Sequence, residues 1–311
     1  MEATVFTNSI NRLRLLKNLL RSFEECNRST DIEWVVTDYG SSDGSREWLA
    51  DYASTASFPI QIILGDEKEY FARLPMKTVG RRERLEFILR KYRNDARRIA
   101  QGKLLFDIGS DHQFIRPADF VAEIQAIFSH RVQQVSRNDL SGVFTAGYFR
   151  WRLNKPINAR GKLQMAGNVP YFIAVQKPYV DYMVMSRETV TKIGPYLDIS
   201  QLKPDSPEME LWIKHDDTIR PETEYMQRCA KQDLRMGFLK YPFLISFSNK
   251  QAAQLVKEHA NEESLIIPLW TSQEIEQKFG WLSRPVSSEE LCRTLSPSFL
   301  ERSLATLGKW F

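Results

Sequence analysis

Cysteine is scarce. Cys26, Cys229 and Cys292 stand far apart in a chain of 311 residues, and no two of them form a CxxC pair. A disulfide framework is therefore excluded, and a reducing, cytoplasmic setting is the expectation. No run approaches the roughly 20 apolar residues that a bilayer span needs, and no secretory leader is read at the start. An excess of one charge is missing too. Lys and Arg number 43 against 39 Asp and Glu, a net charge of +4. That balance suits an anionic substrate or an acidic membrane surface, but it argues against a nucleic-acid partner. Neither GxGxxG nor a Walker lysine motif occurs, so dinucleotide and P-loop chemistry lose support. Repeats and low-complexity tracts are also absent. What remains is an ordinary globular composition, 42% hydrophobic and 26% charged. It is enough for one large α/β domain or two modest ones.

The pattern along the chain is an alternation of strands and helices. Ala3 to Thr7 reads as a first strand with the polar exit Asn8 to Asn11, followed by a helix carrying Leu13, Leu16, Leu19, Leu20 and Phe23. A second strand, Ile32 to Thr37, is closed by Asp38 and runs into DYGSSDGS. There Gly40 permits a tight turn, and Ser42 or Asp43 is placed to cap the next helix. Ile60 to Leu64 is the third strand. The basic helix that follows has Leu85, Ile88, Leu89, Tyr92 and Ala96 on its apolar side, and most of its arginines are expected on a solvated face. Gly102 is expected as the left-handed residue of a helix C-terminus. Leu104 to Phe106 with Ile108 then form a buried strand.

Asp107, Asp111 and His112 cluster at or just past that strand's end, where open α/β sheets bind ligands. Strand alternation aims Asp107 away from the loop tip. Phe120 to Phe128 reads as a helix and Leu234 to Phe247 as one or two late strands. Between them, Tyr148, Trp151, Tyr171 and Phe172 are aromatics of a kind more often found in a core than against a sugar. The whole alternation predicts a mostly parallel sheet with helices on both faces.

Four blocks carry a resemblance. Arg93-Asn94 lie seven and six residues before Ala100, Ala100-Gln101-Gly102 is an Ala-x-Gly, and Asp111 stands nine residues beyond Gly102. Asp38 to Ser45 reads Asp-x-Gly-Ser-x-Asp-Gly-Ser. Tyr182 to Tyr196 gives strand, Arg, short helix, Gly and aromatic, and PETEYMQR follows later. Taken in chain order, the blocks resemble family 2 glycosyltransferases of the GT-A fold, over roughly Thr4 to Phe247. Two positions depart from the family pattern. Gly109 stands where its first metal-binding Asp would be, and Pro221 where its leading catalytic-loop Glu would be.

The resemblance implies an inverting transferase in polysaccharide or glycoconjugate synthesis. It would move a sugar from a nucleoside diphosphate donor, UDP favoured, to a saccharide or glycoconjugate hydroxyl. Donor binding is expected from Asn8, Ser9, Asp38, Arg93, Ser110 and Asp111, with Asp38 on the base and Arg93 near the diphosphate. Asp111 is the expected ligand of Mn²⁺ or Mg²⁺. Counted back from Arg228, Glu222 falls on the general base and Glu224 on the acid after it. The rival acidic cluster, His215, Asp216 and Asp217, reads as an exposed loop. The family's late metal-binding His has no counterpart; Asn249 is near its place and His259 lies ten residues on.

Residues 1–125 are expected to form the donor half and 126–250 the acceptor and catalytic half of the same domain. Residues 251–311 are expected to be a helical extension whose end either docks on the domain or touches a membrane surface. The alternatives are a non-catalytic nucleotide-sugar-binding relative and, last, a nucleotidyltransferase. The latter usually shows a Gly-rich basic loop where this chain has NSIN.

Overall fold

The computed structural model describes residues 1–66, 68–69, 81–133, 143–145, 148–150, 155–156, 163–173, 184–197, 225, 228–229, 236–239, 241, 243–247 and 250–279. The chain starts with β1 (Ala3–Ser9), α1 (Leu13–Cys26), β2 (Ile32–Asp38), α2 (Ser45–Thr55), β3 (Ile60–Leu64), α3 (Arg81–Ile99) and β4 (Leu104–Asp107). Next come β5 (His112–Phe114), α4 (Phe120–Gln133), β6 (Val143–Thr145), β7 (Tyr148–Arg150), β8 (Lys155–Pro156), β9 (Leu163–Ala166) and β10 (Val169–Ile173). Then follow β11 (Val184–Ser186), α5 (Arg187–Ile193), β12 (Met236–Leu239), β13 (Leu244–Ser246), α6 (Lys250–Glu258) and α7 (Ser272–Phe279).

The main sheet has the order β3-β2-β1-β4-β11-β6-β12-β10-β9. β3, β2, β1 and β4 pair in parallel, as do β6 and β12, while β11 and β10 are antiparallel to both their neighbours. Seven of the nine described strands therefore point one way, and the expected mostly parallel α/β sheet is present. A smaller sheet, β5-β13-β7-β8, accompanies it.

Strand alternation sorts the core into two layers. Val5, Trp34, Val36 and Phe106 face one side, where Leu16, Leu19, Leu20 and Phe23 of α1, Leu49 of α2 and Phe120, Ile124 and Ile127 of α4 cover them. Phe6, Val35 and Leu105 face the other, against Ala96, Ala100 and Val190. Phe23 centres the first layer, its ring 5.0 Å from Trp34, 4.7 Å from Phe58 and 5.3 Å from Phe114 in edge-on contacts. Truncating such a ring costs about 3–5 kcal/mol.

The chain divides into two compact units, Met1–Leu269 and Trp270–Phe311. The first includes a turn after α6 that straps α1. Arg14 Nε donates to His259 O at 2.8 Å, Arg14 Nη2 to Ser264 O at 2.7 Å, and Ile266 N to Asn18 Oδ1 at 2.9 Å. In the second unit, α7 opens on a capping box. Glu274 N donates to Thr271 Oγ1 at 3.2 Å and Thr271 N to Glu274 Oε2 at 2.7 Å. The terminal stretch expected to dock or to touch a membrane lies outside the described residues. Among these, no helix is long and apolar enough to cross a membrane.

Candidate functional site

The carboxyl ends of β1, β2 and β4 meet at one edge of the sheet, and most of the described candidates stand there. Ser9 and Asp38 are paired in register, which puts their side chains on the same side of neighbouring strands. Asp38 is fully buried. Its Oδ1 accepts from Gly40 N at 3.1 Å, Ser41 N at 2.9 Å and Arg46 Nε at 2.9 Å. Arg46, in the first turn of α2, also reaches the carbonyls of Asp38 and Gly65. By contrast, Asp38 Oδ2 and Ser9 Oγ are buried and have no hydrogen-bond partner among the described residues. Asn8 lies one register step earlier, opposite Thr37, and is partly buried.

The two exit loops are laced to each other. Asn11, with a left-handed φ of 50°, accepts from Ser42 N at 2.8 Å, while its own N–H donates to Ser41 Oγ at 2.8 Å. Asp43 Oδ2 accepts from Leu13 N at 2.9 Å, the first residue of α1. The expected cap is thus corrected. Gly44, at φ 85°, is the N-cap of α2 and makes no side-chain cap, and Ser42 is tied to the β1 exit instead. Asp43 does bind Ser45 N at 3.1 Å, but its other oxygen belongs to α1.

Past β4, Ser110 is buried in the turn and Asp111 follows it. Asp111 Oδ1 is 3.0 Å from His112 Nδ1, and Asp111 Oδ2 is 4.0 Å from Arg12 Nη1. Burial pushes the Asp111 carboxyl up, but the hydrogen bond and charge of His112 and the charge of Arg12 outweigh it and hold the group at about 2. Phe247 N donates to Asp111 O at 2.8 Å, so β13 fixes the loop from its other side. Among the described residues no three His, Cys, Asp or Glu side chains gather as a self-sufficient metal site. Asp111 alone offers an ionised oxygen donor. That fits a hard cation whose shell is completed by substrate phosphates and water.

Arg93 stands deeper. Its Nε lies 2.6 Å from Asp107 Oδ2, with the two side chains 5% and 4% exposed. The direction expected for Asp107 holds, since it points into the α3 layer. Arg97 joins the same knot, stacked on Tyr196 at 4.3 Å and Tyr225 at 4.5 Å. Arg90 is buried as well. The solvated face expected for most α3 arginines is therefore corrected for Arg90 and Arg97, while Arg98 is exposed. For Arg97 aromatic faces supply the reason, because a guanidinium is weakly hydrated and stacks on them at tolerable desolvation cost.

Asn94 brackets the backbone of Tyr196, accepting from its N–H and donating to its carbonyl, both at 2.8 Å. Arg187 donates to the carbonyls of Ala100 at 2.7 Å and Gly102 at 2.8 Å. Gly102 is not left-handed, a third correction. A Cβ there would lie 2.2 Å from Thr4 N and 2.3 Å from the Ala3 carbonyl carbon. The glycine allows the strand-entry turn to touch β1, where Gly102 N donates to Thr4 Oγ1 at 2.8 Å.

Glu222 and Glu224, the rival cluster His215, Asp216 and Asp217, and Asn249 and Trp151 lie outside the described residues. Tyr225 and Arg228, just after the two glutamates in sequence, are anchored. Arg228 donates to Ile193 O at 2.9 Å and Pro195 O at 2.7 Å. His259 pairs with Glu262 at 2.7 Å within the strap turn. Tyr171 is buried in the core layer, as the sequence pattern favoured. Sequence reasoning missed Arg12, Arg46 and Tyr39. The last is packed on Tyr92 at 4.3 Å and bonded to Asp95. Arg46 had a signal, a cation in the first turn of a helix that starts next to a buried acid. Arg12 had none beyond its place after a strand exit.

No protein-family model matches the chain, and no curated protein does either. Among solved structures, the chain is similar to residues 1–349 of S. aureus TarS at 15% identity, covering 96% of this chain and 73% of that one, with a TM-score of 0.49. The same TarS segment has been solved with UDP and with UDP-GlcNAc. The mannosyltransferase PcManGT from Pyrobaculum calidifontis, in complex with GDP-Man and Mn²⁺, is similar at 13% identity, with 83% of this chain and 60% of that one covered and a TM-score of 0.44. The galactosyltransferase LgtC, with donor and acceptor sugar analogues, is similar at 12% identity, with 92% and 98% covered and a TM-score of 0.42.

Proposed function

We propose that the chain is a glycosyltransferase that takes a sugar from a nucleoside diphosphate donor and passes it to an acceptor hydroxyl with inversion. UDP is the favoured nucleotide, and a saccharide or glycoconjugate is the acceptor class. The observation that carries this reading is the state of Asp38. One carboxylate oxygen is saturated by Gly40, Ser41 and Arg46, and the other is buried without a partner at the strand edge where such folds bind ligands. An acceptor-only oxygen of this kind matches the ring N–H of uracil or the paired N–H groups of guanine. Ser9, paired with Asp38, offers an unpartnered hydroxyl beside it.

Asp111 is the residue that would hold Mn²⁺ or Mg²⁺, with Ser110 and Asn8 lining the same edge. When bound, such a cation would neutralise charge on the leaving diphosphate. Glu222 would take the proton from the acceptor hydroxyl as that oxygen attacks the anomeric carbon, because an alcohol is a feeble nucleophile while it keeps its proton. Glu224 would orient the loop or the acceptor. These two roles come from the motif count back from Arg228. A non-catalytic nucleotide-sugar binder is the second reading, favoured by Gly109 and Pro221 standing in place of acids.

A screen of nucleotide sugars with Mn²⁺ tests both, scored by hydrolysis and by thermal stabilisation. Turnover is expected, falling ~10²–10⁴-fold in Glu222→Gln with donor affinity kept. Binding without turnover selects the second reading. If Glu222→Gln stays active while Asp217→Asn does not, the base lies in the other acidic cluster. Absence of any nucleotide binding rejects the donor site altogether.

A further inference from the structure

A diphosphate needs a cation with free donors at the sheet edge, and the arginines near it differ in what they already hold. Arg93 is 5% exposed, lies 2.6 Å from the Asp107 carboxylate and has its guanidinium carbon 5.3 Å from the Tyr196 ring centre. Arg46 is committed to the Asp38 carboxylate and to two carbonyls. Arg12 is different. It is 50% exposed, and its one partner among the described residues is Asp111, at 4.0 Å, beyond hydrogen-bond range. It stands at the N-cap of α1, where a guanidinium, which only donates, cannot cap the backbone N–H groups. The guanidinium fork is thus held toward Asp111 with its N–H donors open, at the helix end where partial positive charge favours anions.

We infer that Arg12, in place of Arg93, is the arginine that meets the donor's diphosphate. The inference rests on the reading of the chain as a nucleotide-sugar enzyme. Arg12 and Asp111 form a neutral pair across the β1 and β4 exits. A diphosphate entering between them gains a bidentate partner from Arg12, while Asp111 is released toward a cation. Gly109 offers no second carboxylate, so Arg12 supplies positive charge at a place where one acid holds the metal weakly. The edge accordingly binds nucleotide with reduced dependence on Mn²⁺.

The test is calorimetric titration of the full chain with UDP and GDP and with the matching monophosphates, in Mn²⁺ and in EDTA. Arg12→Ala is expected to weaken the diphosphate about 10–100-fold, the worth of a charge-assisted pair, and the monophosphate much less. Arg12→Lys should recover part of the loss, because it restores charge without the fork. Arg93→Lys keeps a cation opposite Asp107 and should leave the ratio of diphosphate to monophosphate affinity unchanged. The inference is overturned if Arg12→Ala binds diphosphate within about twofold of wild type. It is also overturned if Arg12→Ala weakens both nucleotides equally, or if Arg93→Lys is the variant that lowers the ratio. A wild-type chain that binds neither diphosphate overturns the glycosyltransferase reading and this inference together. Wild-type binding with an unaffected Arg12→Ala overturns the inference alone.

Discussion

Asp38 and Asp107 close two strands of the same parallel set, and each carries an arginine, yet the two sites are built for opposite ends. At Asp107 the carboxylate faces Arg93 at 2.6 Å with both groups 4–5% exposed, and Arg97 stacks beside them on Tyr196 and Tyr225. At Asp38 one oxygen takes three donors and the other takes none, although the residue is fully buried. A buried ion pair of this kind belongs to the fold, because losing either partner leaves the other charge buried. A carboxylate left half-satisfied costs stability, and such a cost is tolerated where a ligand supplies the missing partner. The difference teaches which of two similar ion pairs to test for binding and which for stability.

The largest effect is expected where the knot is broken from its acidic side. Asp107→Ala takes away the carboxylate that faces buried Arg93, and removing one partner of a buried pair costs about 3–5 kcal/mol. Urea unfolding would measure it, with nucleotide affinity of the surviving folded fraction near wild type. A loss below about 1 kcal/mol would mean that the knot is solvated and the comparison false.

The matching substitution at the open corner should act on binding instead. Asp38→Asn replaces one acceptor oxygen by an amide that only donates. Whichever way the amide turns, a donor faces either Gly40, Ser41 and Arg46 or the base N–H. Diphosphate affinity should fall about 10–100-fold, with stability changed by about 1–2 kcal/mol. Unaltered affinity would remove Asp38 from the donor site.

Much of this was legible in the sequence, and for definable reasons. The parallel half of the sheet was readable because strands buried on both faces appear as apolar runs, and the helices between them keep a clear period. Its motif residues were readable as a set but not as roles. Asn94 and Arg187 sit in the right blocks, yet they hold backbone carbonyls and N–H groups of Tyr196, Ala100 and Gly102. A motif fixes which residues are placed near one another; the partner each one takes depends on burial, which spacing does not report. Gly102 shows the same limit. Its place after a helix suggested a left-handed turn, while the actual demand is close approach to β1, between residues about a hundred positions apart. The buried arginines of α3 were unreadable because their aromatic partners Tyr196 and Tyr225 are equally remote in sequence.

A smaller effect should come from the lacing that shapes the open corner. Asn11 combines a left-handed φ of 50° with a hydrogen bond to Ser42 N. Asn11→Ala loses the bond and strains the backbone, for a cost of about 1–2 kcal/mol. Asn11→Gly loses only the bond and should cost about half as much. Equal costs in thermal unfolding would show that the bond alone matters and that the backbone at this turn relaxes.

The smallest effect is expected inside the knot itself, at Arg97. The residue is 8% exposed, and among the described residues no N–H of its guanidinium has a hydrogen-bond partner. What holds it is stacking, 4.3 Å from Tyr196, 4.5 Å from Tyr225 and 5.9 Å from Phe6. A desolvated cation–π contact contributes about 2 kcal/mol, while unpaired buried donors cost about 1–3 kcal/mol. The two terms nearly cancel. Arg97→Met keeps the length of the side chain, packs a sulfur against the same rings and removes a buried cation. Its unfolding free energy should therefore lie within about 1 kcal/mol of wild type, in contrast to Asp107→Ala at the other pole of the knot. A loss above about 3 kcal/mol would show that the Arg97 N–H groups do find acceptors in solution. The knot would then be a fully bonded network instead of one ion pair with a stacked neighbour.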